Sequence, residues 1–169
     1  MWFPPGEFRV WFQTATFALV ALAAWRWGGG PERALAGILV WFKVADIFNH
    51  ALFGGIAVDR VQTGHLVIDI VGTLVAVPVA LYANRIYPLW FAALQVIALM
   101  AHLAKDMVQQ ISLLAYSMMY VIPSYLQTFL LAGAIWAHYR RVRRYGPYPS
   151  WRSFSSHSRV MPRSRSRNG

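Results

Sequence analysis

The sequence predicts an all-α integral membrane bundle of about five transmembrane helices, with the N-terminus outside and the C-terminus in the cytoplasm. Three observations predict it. Hydrophobic residues make up 57% of the 169, charged residues only 13%, and the mean hydropathy is +0.40, whereas a water-facing fold draws on roughly 25% charged residues. Nine of the sixteen basic residues fall after His138, so the first 138 positions are poorer still in charge. Finally, the chain carries five apolar stretches near the roughly 20 residues that a bilayer core demands of a helix. An ordinary globular enzyme, a coiled coil and a wholly disordered chain are excluded on these grounds. Cysteine is absent, which removes disulfides, Cys-ligated zinc, iron–sulfur clusters and thiol nucleophiles. No phosphate-binding Gly-rich loop with a following Lys-Ser/Thr and no His-Glu-x-x-His zinc motif is present.

The first span is expected over 8–25, ended by the interfacial group Trp25-Arg26-Trp27. Ala21-Leu22-Ala23 has the form of a signal-cleavage site, but Glu7 as well as Arg9 precedes the apolar run, while Arg26 and Arg33 follow it. That polarity is the reverse of a secretory signal, so the first span is expected to be retained. Gly28-Gly29-Gly30 reads as a turn. The second span covers 33–53, opened by Pro31, which a first helical turn tolerates. The stretch from Asp59 to Gly64 reads as a polar loop, and the third span as 65–82. Asn84–Tyr87 is so short a link that the third span and the fourth, 88–105, must be antiparallel neighbours. The fifth covers 113–138, with Pro123 inside it.

Lys and Arg set the orientation. With the N-terminus outside, the inner side receives Arg26, Arg33, Arg85 and the nine arginines from Arg140 onward, twelve in all. The outer side receives Arg9, Arg60 and Lys105, and Lys43 lies within a span.

Ionisable groups inside a span cost about 2.5–3.5 kcal/mol each on insertion scales, so they face inward for a reason. Lys43, Asp46, Asn49 and His50 fall within an arc of about 120° on the second helix. His65, Asp69, Gly72 and Thr73 share a face of the third, Gln95, His102 and Asp106 one of the fourth, and Tyr116, Tyr120 and Gln127 one of the fifth. The first helix offers only Gln13, Thr14 and Thr16, and reads as a peripheral wall. By depth, Asp46, His50, Asp69 and His102 converge on the outer third of the bundle.

Three readings of this cluster stay open at the level of sequence, with a hydrolytic or transfer activity as a fourth. As polar packing, each histidine pairs with the Asp four residues away, as Asp46/His50, His65/Asp69 and His102/Asp106. As a solvated cavity, Lys43, Asp46, Asn49, His50, Asp69, Gln95, His102 and Tyr120 surround a bound small ligand or proton. As a metal or haem centre, His50, His65 and His102 supply imidazole nitrogens with the carboxylates beside or behind them. No spacing motif requires a cofactor. Gly72, Ala76 and Ala80 form a ladder of small residues that permits close helix packing.

From Tyr139 to Gly169 the composition turns to Arg, Ser and Pro, and 139–169 reads as a basic, disordered cytoplasmic tail. Arg140, Arg141, Arg143 and Arg144 are placed to attract anionic lipid headgroups. Few aromatics interleave with the arginines, so nucleic acid is not an expected partner. A chain ended after Tyr145 is expected to insert and fold unchanged.

The block Leu81-Tyr82-Ala83-Asn84-Arg85-Ile86-Tyr87-Pro88-Leu89-Trp90-Phe91-Ala92-Ala93-Leu94-Gln95, with His102 beyond it, resembles uncharacterised small multi-pass proteins of bacterial inner membranes. The resemblance implies that membrane setting and carries over no functional residues. The expected role is non-catalytic: an accessory or interaction subunit, with a homo-oligomer or a membrane complex as partner, or a bundle that binds a small ligand. The contrasting expectations are a membrane metalloprotein or haem protein and a small ion or proton-coupled transporter.

Overall fold

A computed structural model describes residues 6–53, 58–107 and 113–152, and these are all-helical: α1 (Gly6–Trp27), α2 (Gly30–Phe53), α3 (Val58–Tyr82), α4 (Tyr87–Met107) and α5 (Leu113–Tyr145). Each helix packs on its neighbour in the chain, α5 closes back onto α1, and α2 also touches α5 across the middle. The first helix is therefore a full member of the ring. Two helices, Gly30–Phe53 and the Thr63–Tyr82 part of α3, are long and apolar enough to cross a membrane, and Tyr87–His102 is a shorter apolar helix.

The described helices carry large apolar side chains on their outside as well as within. Trp11, Leu19, Leu22 and Trp25 of α1, Leu74 of α3, Trp90 of α4 and Phe129 and Trp136 of α5 are exposed on the outside. Asn49, Gln95, His102 and Gln127 are buried within. Contiguous apolar surface on this scale marks a membrane-facing or partner-facing exterior. The hydroxyls of Thr14 and Thr16 donate to the carbonyls of Val10 and Phe12 one turn back, which satisfies them without water.

Between the polar groups and the Arg-rich end lies an apolar plug. Phe17, Val20 and Ala24 of α1, Leu35 and Leu39 of α2, Ala76, Val79 and Ala80 of α3, Phe91 of α4, and Leu131 and Ile135 of α5 pack together there. The small-residue ladder explains how α3 approaches so closely: Ala76 and Ala80 are buried, and a Cβ at Gly72 would fall 2.4 Å from the Phe42 ring. Gly72→Val is accordingly expected to push Phe42 aside and to lower stability by about 1–3 kcal/mol, as overpacking does. A denaturant midpoint equal to that of the parent chain would show that the ring has room to move.

Two helix boundaries depart from the sequence reading. The stretch Asp59–Gly64, expected as a loop, belongs to α3, because a helix can project past the apolar layer while its own hydrogen bonds satisfy the backbone. The tail differs more. Helix α5 runs on to Tyr145, and Gly146 then ends it with φ +80°, its N–H donating to the Val142 carbonyl. Residues 146–152 fold back onto the α3–α4 link: the Asn84 N–H donates to the Ser150 carbonyl (3.1 Å) and the Arg152 N–H to the Tyr82 carbonyl (2.8 Å), with an antiparallel bridge between Ala83 and Trp151. The disordered tail expected from Tyr139 thus cannot begin before residue 153, and positions 153–169 lie outside the described residues.

This strap covers a buried ion pair. Glu32 is fully buried at the start of α2, where one carboxylate oxygen accepts the Gly29 N–H (3.0 Å), a capping arrangement, and the other accepts from the Arg85 guanidinium. The second Arg85 amino group lies 3.4 Å from the Ser150 hydroxyl, and its guanidinium stacks 5.0 Å from the Tyr148 ring centroid. Beside it, burial pushes the Tyr87 phenol well above its ordinary pKa, so it stays neutral. The expectation that a chain ended after Tyr145 folds unchanged is revised for this reason. That truncation strips Arg85 of its hydroxyl and its ring, and is expected to cost about 1–3 kcal/mol. Thermal unfolding of the two lengths in the same detergent measures it, and equal midpoints would mean that the strap adds nothing.

Candidate functional site

At the end of the bundle away from the arginines, α1, α2, α3, α4 and α5 enclose a chamber of about 260 Å³. Lys43, Asp46 and His50 reach it from α2, His65 and Asp69 from α3, Gln95 from α4, and Ser124, Tyr125 and Gln127 from α5. Gln13 contributes from α1, and Phe17, Phe42, Ile68 and Ala98 supply apolar wall. The helix-face periodicity of α2 produces this convergence: 43, 46 and 50 recur at three- and four-residue spacing on the side turned to α3.

Two polar groups make up the lining. In the first, Asp46 Oδ1 accepts from His65 Nε2 at 2.9 Å across the α2–α3 boundary and lies 3.2 Å from His50 Nδ1 on its own helix. The His50 nitrogen is also 3.0 Å from the Asp46 carbonyl. The two imidazoles meet edge to face, with centroids 5.2 Å apart and planes at 63°. In the second, Asp69 on α3 accepts from two donors of α4: His102 Nε2 at 3.0 Å on Oδ2 and Gln95 Nε2 at 3.2 Å on Oδ1. Gln127 of α5 extends the line, donating to Gln95 Oε1 at 2.9 Å. Asn49 is buried with its amide against the bare Cα of Gly64, which fixes the close α2–α3 approach beside the first group.

Of the site residues expected from sequence, Lys43, Asp46, His50, His65, Asp69 and Gln95 line the chamber, and His102 joins it through Asp69. Asn49 is a packing contact at its edge. The side chains of Tyr120, Tyr116, Lys105 and Asp106 lie outside the described residues, and with them the His102/Asp106 pair. Among the described residues Asp46/His50 shows the expected pairing within a helix, while His65 and His102 both reach carboxylates on a neighbouring helix. The three histidines do not form one set, since His50 and His65 share Asp46 while His102 sits on Asp69.

The chamber residues that sequence reasoning passed over, Ser124 and Tyr125, follow Pro123 directly and carried no signal apart from that proximity. Glu32, three residues after Gly29 in capping register, carried a clearer one. At the opposite end, Arg140 stacks on Trp136 (4.7 Å), Arg141 on Tyr148 (5.4 Å) and Arg143 on Tyr139 (5.6 Å), while Arg144 is exposed.

The polar groups and the plug together define a class of object: an apolar-skinned helical bundle with a polar chamber at one end and a basic collar at the other. Compared with protein families, curated proteins and solved structures, the chain has no match.

Proposed function

We propose that the protein is a five-span, non-catalytic protein of the bacterial inner membrane, with its N-terminus outside and its C-terminus cytoplasmic, that binds a small polar solute or cation in a chamber open toward the periplasm. The observation that carries the reading is the chamber's position between a polar mouth and an apolar plug. Two carboxylates and two imidazoles border a void of about 260 Å³, and Leu35, Leu39, Phe91 and Leu131 close it toward the arginines. Ligand sites for drug-sized molecules run from about 300 Å³ upward, so this volume favours an ion or a solute of a few atoms over a haem. A chamber blocked at one end favours binding over conduction. Arg140, Arg141, Arg143 and Arg144, beside interfacial Trp136 and Tyr139, suit contact with anionic headgroups on the cytoplasmic side.

The absence of cysteine makes the test direct. Ser124→Cys, in the chamber wall, is expected to react with a membrane-impermeant maleimide added to intact spheroplasts. Asn84→Cys, exposed at the arginine end, should react only after lysis. Labelling in the opposite order would invert the topology, and a Ser124→Cys that never reacts would remove the solvated chamber.

A second reading, proton-coupled transport, rests on the hydrogen-bonded row Asp69–Gln95–Gln127, which runs along the chamber wall from α3 to α5. Proteoliposomes given a pH step separate the two readings. Transport predicts dissipation of the gradient that Asp69→Asn abolishes, and binding predicts none.

A further inference from the structure

We infer that Asp46, His50 and His65 form a mononuclear site for a borderline divalent transition-metal ion such as Zn²⁺ or Co²⁺ at the chamber mouth. The inference deepens the proposed function, resting on the same chamber and naming the class of ligand that it takes.

The geometry is the argument. One ligand atom from each residue lies within 4.8 Å of the others. With metal–ligand bonds near 2.0–2.1 Å, neighbouring donors of a tetrahedral site stand roughly 3.3 Å apart. Asp46 Oδ1 is 2.9 Å from His65 Nε2 and 3.2 Å from His50 Nδ1, so two of the three edges are already near that length. The third, at most 4.8 Å, shortens by rotation of His50, whose side chain is 54% exposed.

Polar packing alone does not call for this arrangement. A carboxylate that served only to hold α2 to α3 would need the one histidine across the boundary. Here a second imidazole, from the next turn of the same helix, converges on the same oxygen.

Donor chemistry selects the ion. Mg²⁺ and Ca²⁺ demand mostly oxygen ligands, whereas two imidazoles with one carboxylate suit Zn, Co, Ni or Fe. Three protein ligands leave at least one coordination position, and it faces the chamber, where water or a small anion fits. Lys43, one turn deeper on α2 and lining the same chamber, would repel a cation from the interior while favouring an anion beside the bound metal. The partly exposed His50 leaves an entry path from the mouth, which a metal site needs.

The full chain, purified without a histidine tag, stripped with chelator and placed in nanodiscs, is titrated with Co²⁺ while its visible absorption is followed, and Zn²⁺ is then added as competitor. One ion per chain is expected, with the intense d–d band of a low-coordinate site, displaced by Zn²⁺. His50→Ala, His65→Ala and Asp46→Ala should each weaken binding at least about 100-fold, since loss of mere supporting contacts already costs 10–100-fold. His138→Gln, at the opposite end of the bundle, should leave it unchanged. His50→Ala is the critical variant, because an exposed side chain is replaced without endangering the fold, and size-exclusion and thermal profiles verify that. No uptake of Co²⁺ or Zn²⁺, or uptake that survives His50→Ala together with His65→Ala, overturns the site. Labelling of Ser124→Cys reads the chamber separately, so a reactive chamber without metal binding refutes this inference and leaves the proposed function standing.

Discussion

Arg85→Met is expected to be the most damaging single substitution in the bundle, lowering stability by about 3–5 kcal/mol, the usual result of removing one partner from a buried ion pair. Glu32 has no exposed surface, and its carboxylate is held by Arg85 and by the Gly29 N–H. Losing the guanidinium leaves a charge in a pocket sealed by Tyr148 and Ser150. A fall in the unfolding midpoint on the order of 10 °C follows for a chain of this size. The double variant Glu32→Gln with Arg85→Met removes the stranded charge while keeping an acceptor for Gly29, and is expected to recover more than half of the loss. The ordering of the three midpoints checks the argument. If the double variant is no better than Arg85→Met alone, the damage comes from lost packing of the arginine stem and not from the orphaned carboxylate.

That ion pair also shows where sequence reading stops. Arg85 was legible as a loop arginine on the basic side, and Glu32 as an acidic residue near a helix start. Nothing in a hydropathy profile says that two charges 53 positions apart lie within a polar knot beneath a strap. The strap itself, Gly146–Arg152, reads as tail because Arg and Pro dominate its neighbourhood. Its docking depends on two backbone hydrogen bonds to the α3–α4 link and on where Tyr148 and Trp151 fall after the Gly146 cap, and those are matters of three-dimensional placement.

The inward faces were more legible, for a physical reason. An Asp or His in an apolar helix has few places to go, so 43, 46 and 50 on α2 and 65 and 69 on α3 declare their side by spacing alone. Partner choice was not legible. A helical wheel sees neighbours at i±4, but the relative rotation of α2 and α3, set by Asn49 against Gly64 and Phe42 against Gly72, decides that His65 meets Asp46. The polar stretch Asp59–Gly64 misled for a similar reason: composition marks where the apolar layer ends, not where the helix does.

The carboxylate of Asp69 joins α3 to α4 and, through Gln95, reaches Gln127 on α5, and Asp69→Ala is expected to cost about 2–4 kcal/mol. His102 and Gln95 are both buried and both donate to it. Each buried donor deprived of an acceptor costs about 1–3 kcal/mol, offset in part because Gln95 Nε2 also lies 3.4 Å from the Asp69 backbone carbonyl. Disturbing Gln95 propagates to Gln127, whose amide bridges Gln95 Oε1 and the Phe91 carbonyl. Asp69→Asn keeps the shape and one acceptor oxygen but not the charge, so an intermediate loss is expected. His50→Ala, at a more than half-exposed position, should stay within about 0.5 kcal/mol of the parent chain, as surface changes do. The predicted order of denaturant midpoints in detergent is therefore His50→Ala above Asp69→Asn above Asp69→Ala. The order matters more than any single value, because it sets the Asp69 carboxylate apart from an exposed member of the Asp46 group. Asp69 is fastened by two donors of α4, whereas Asp46 is bordered by two imidazoles, one of them more than half exposed. If Asp69→Ala proved as mild as His50→Ala, the α3–α4–α5 polar line would not hold the bundle together. Asp69 would then belong with Asp46 among the groups available to a ligand.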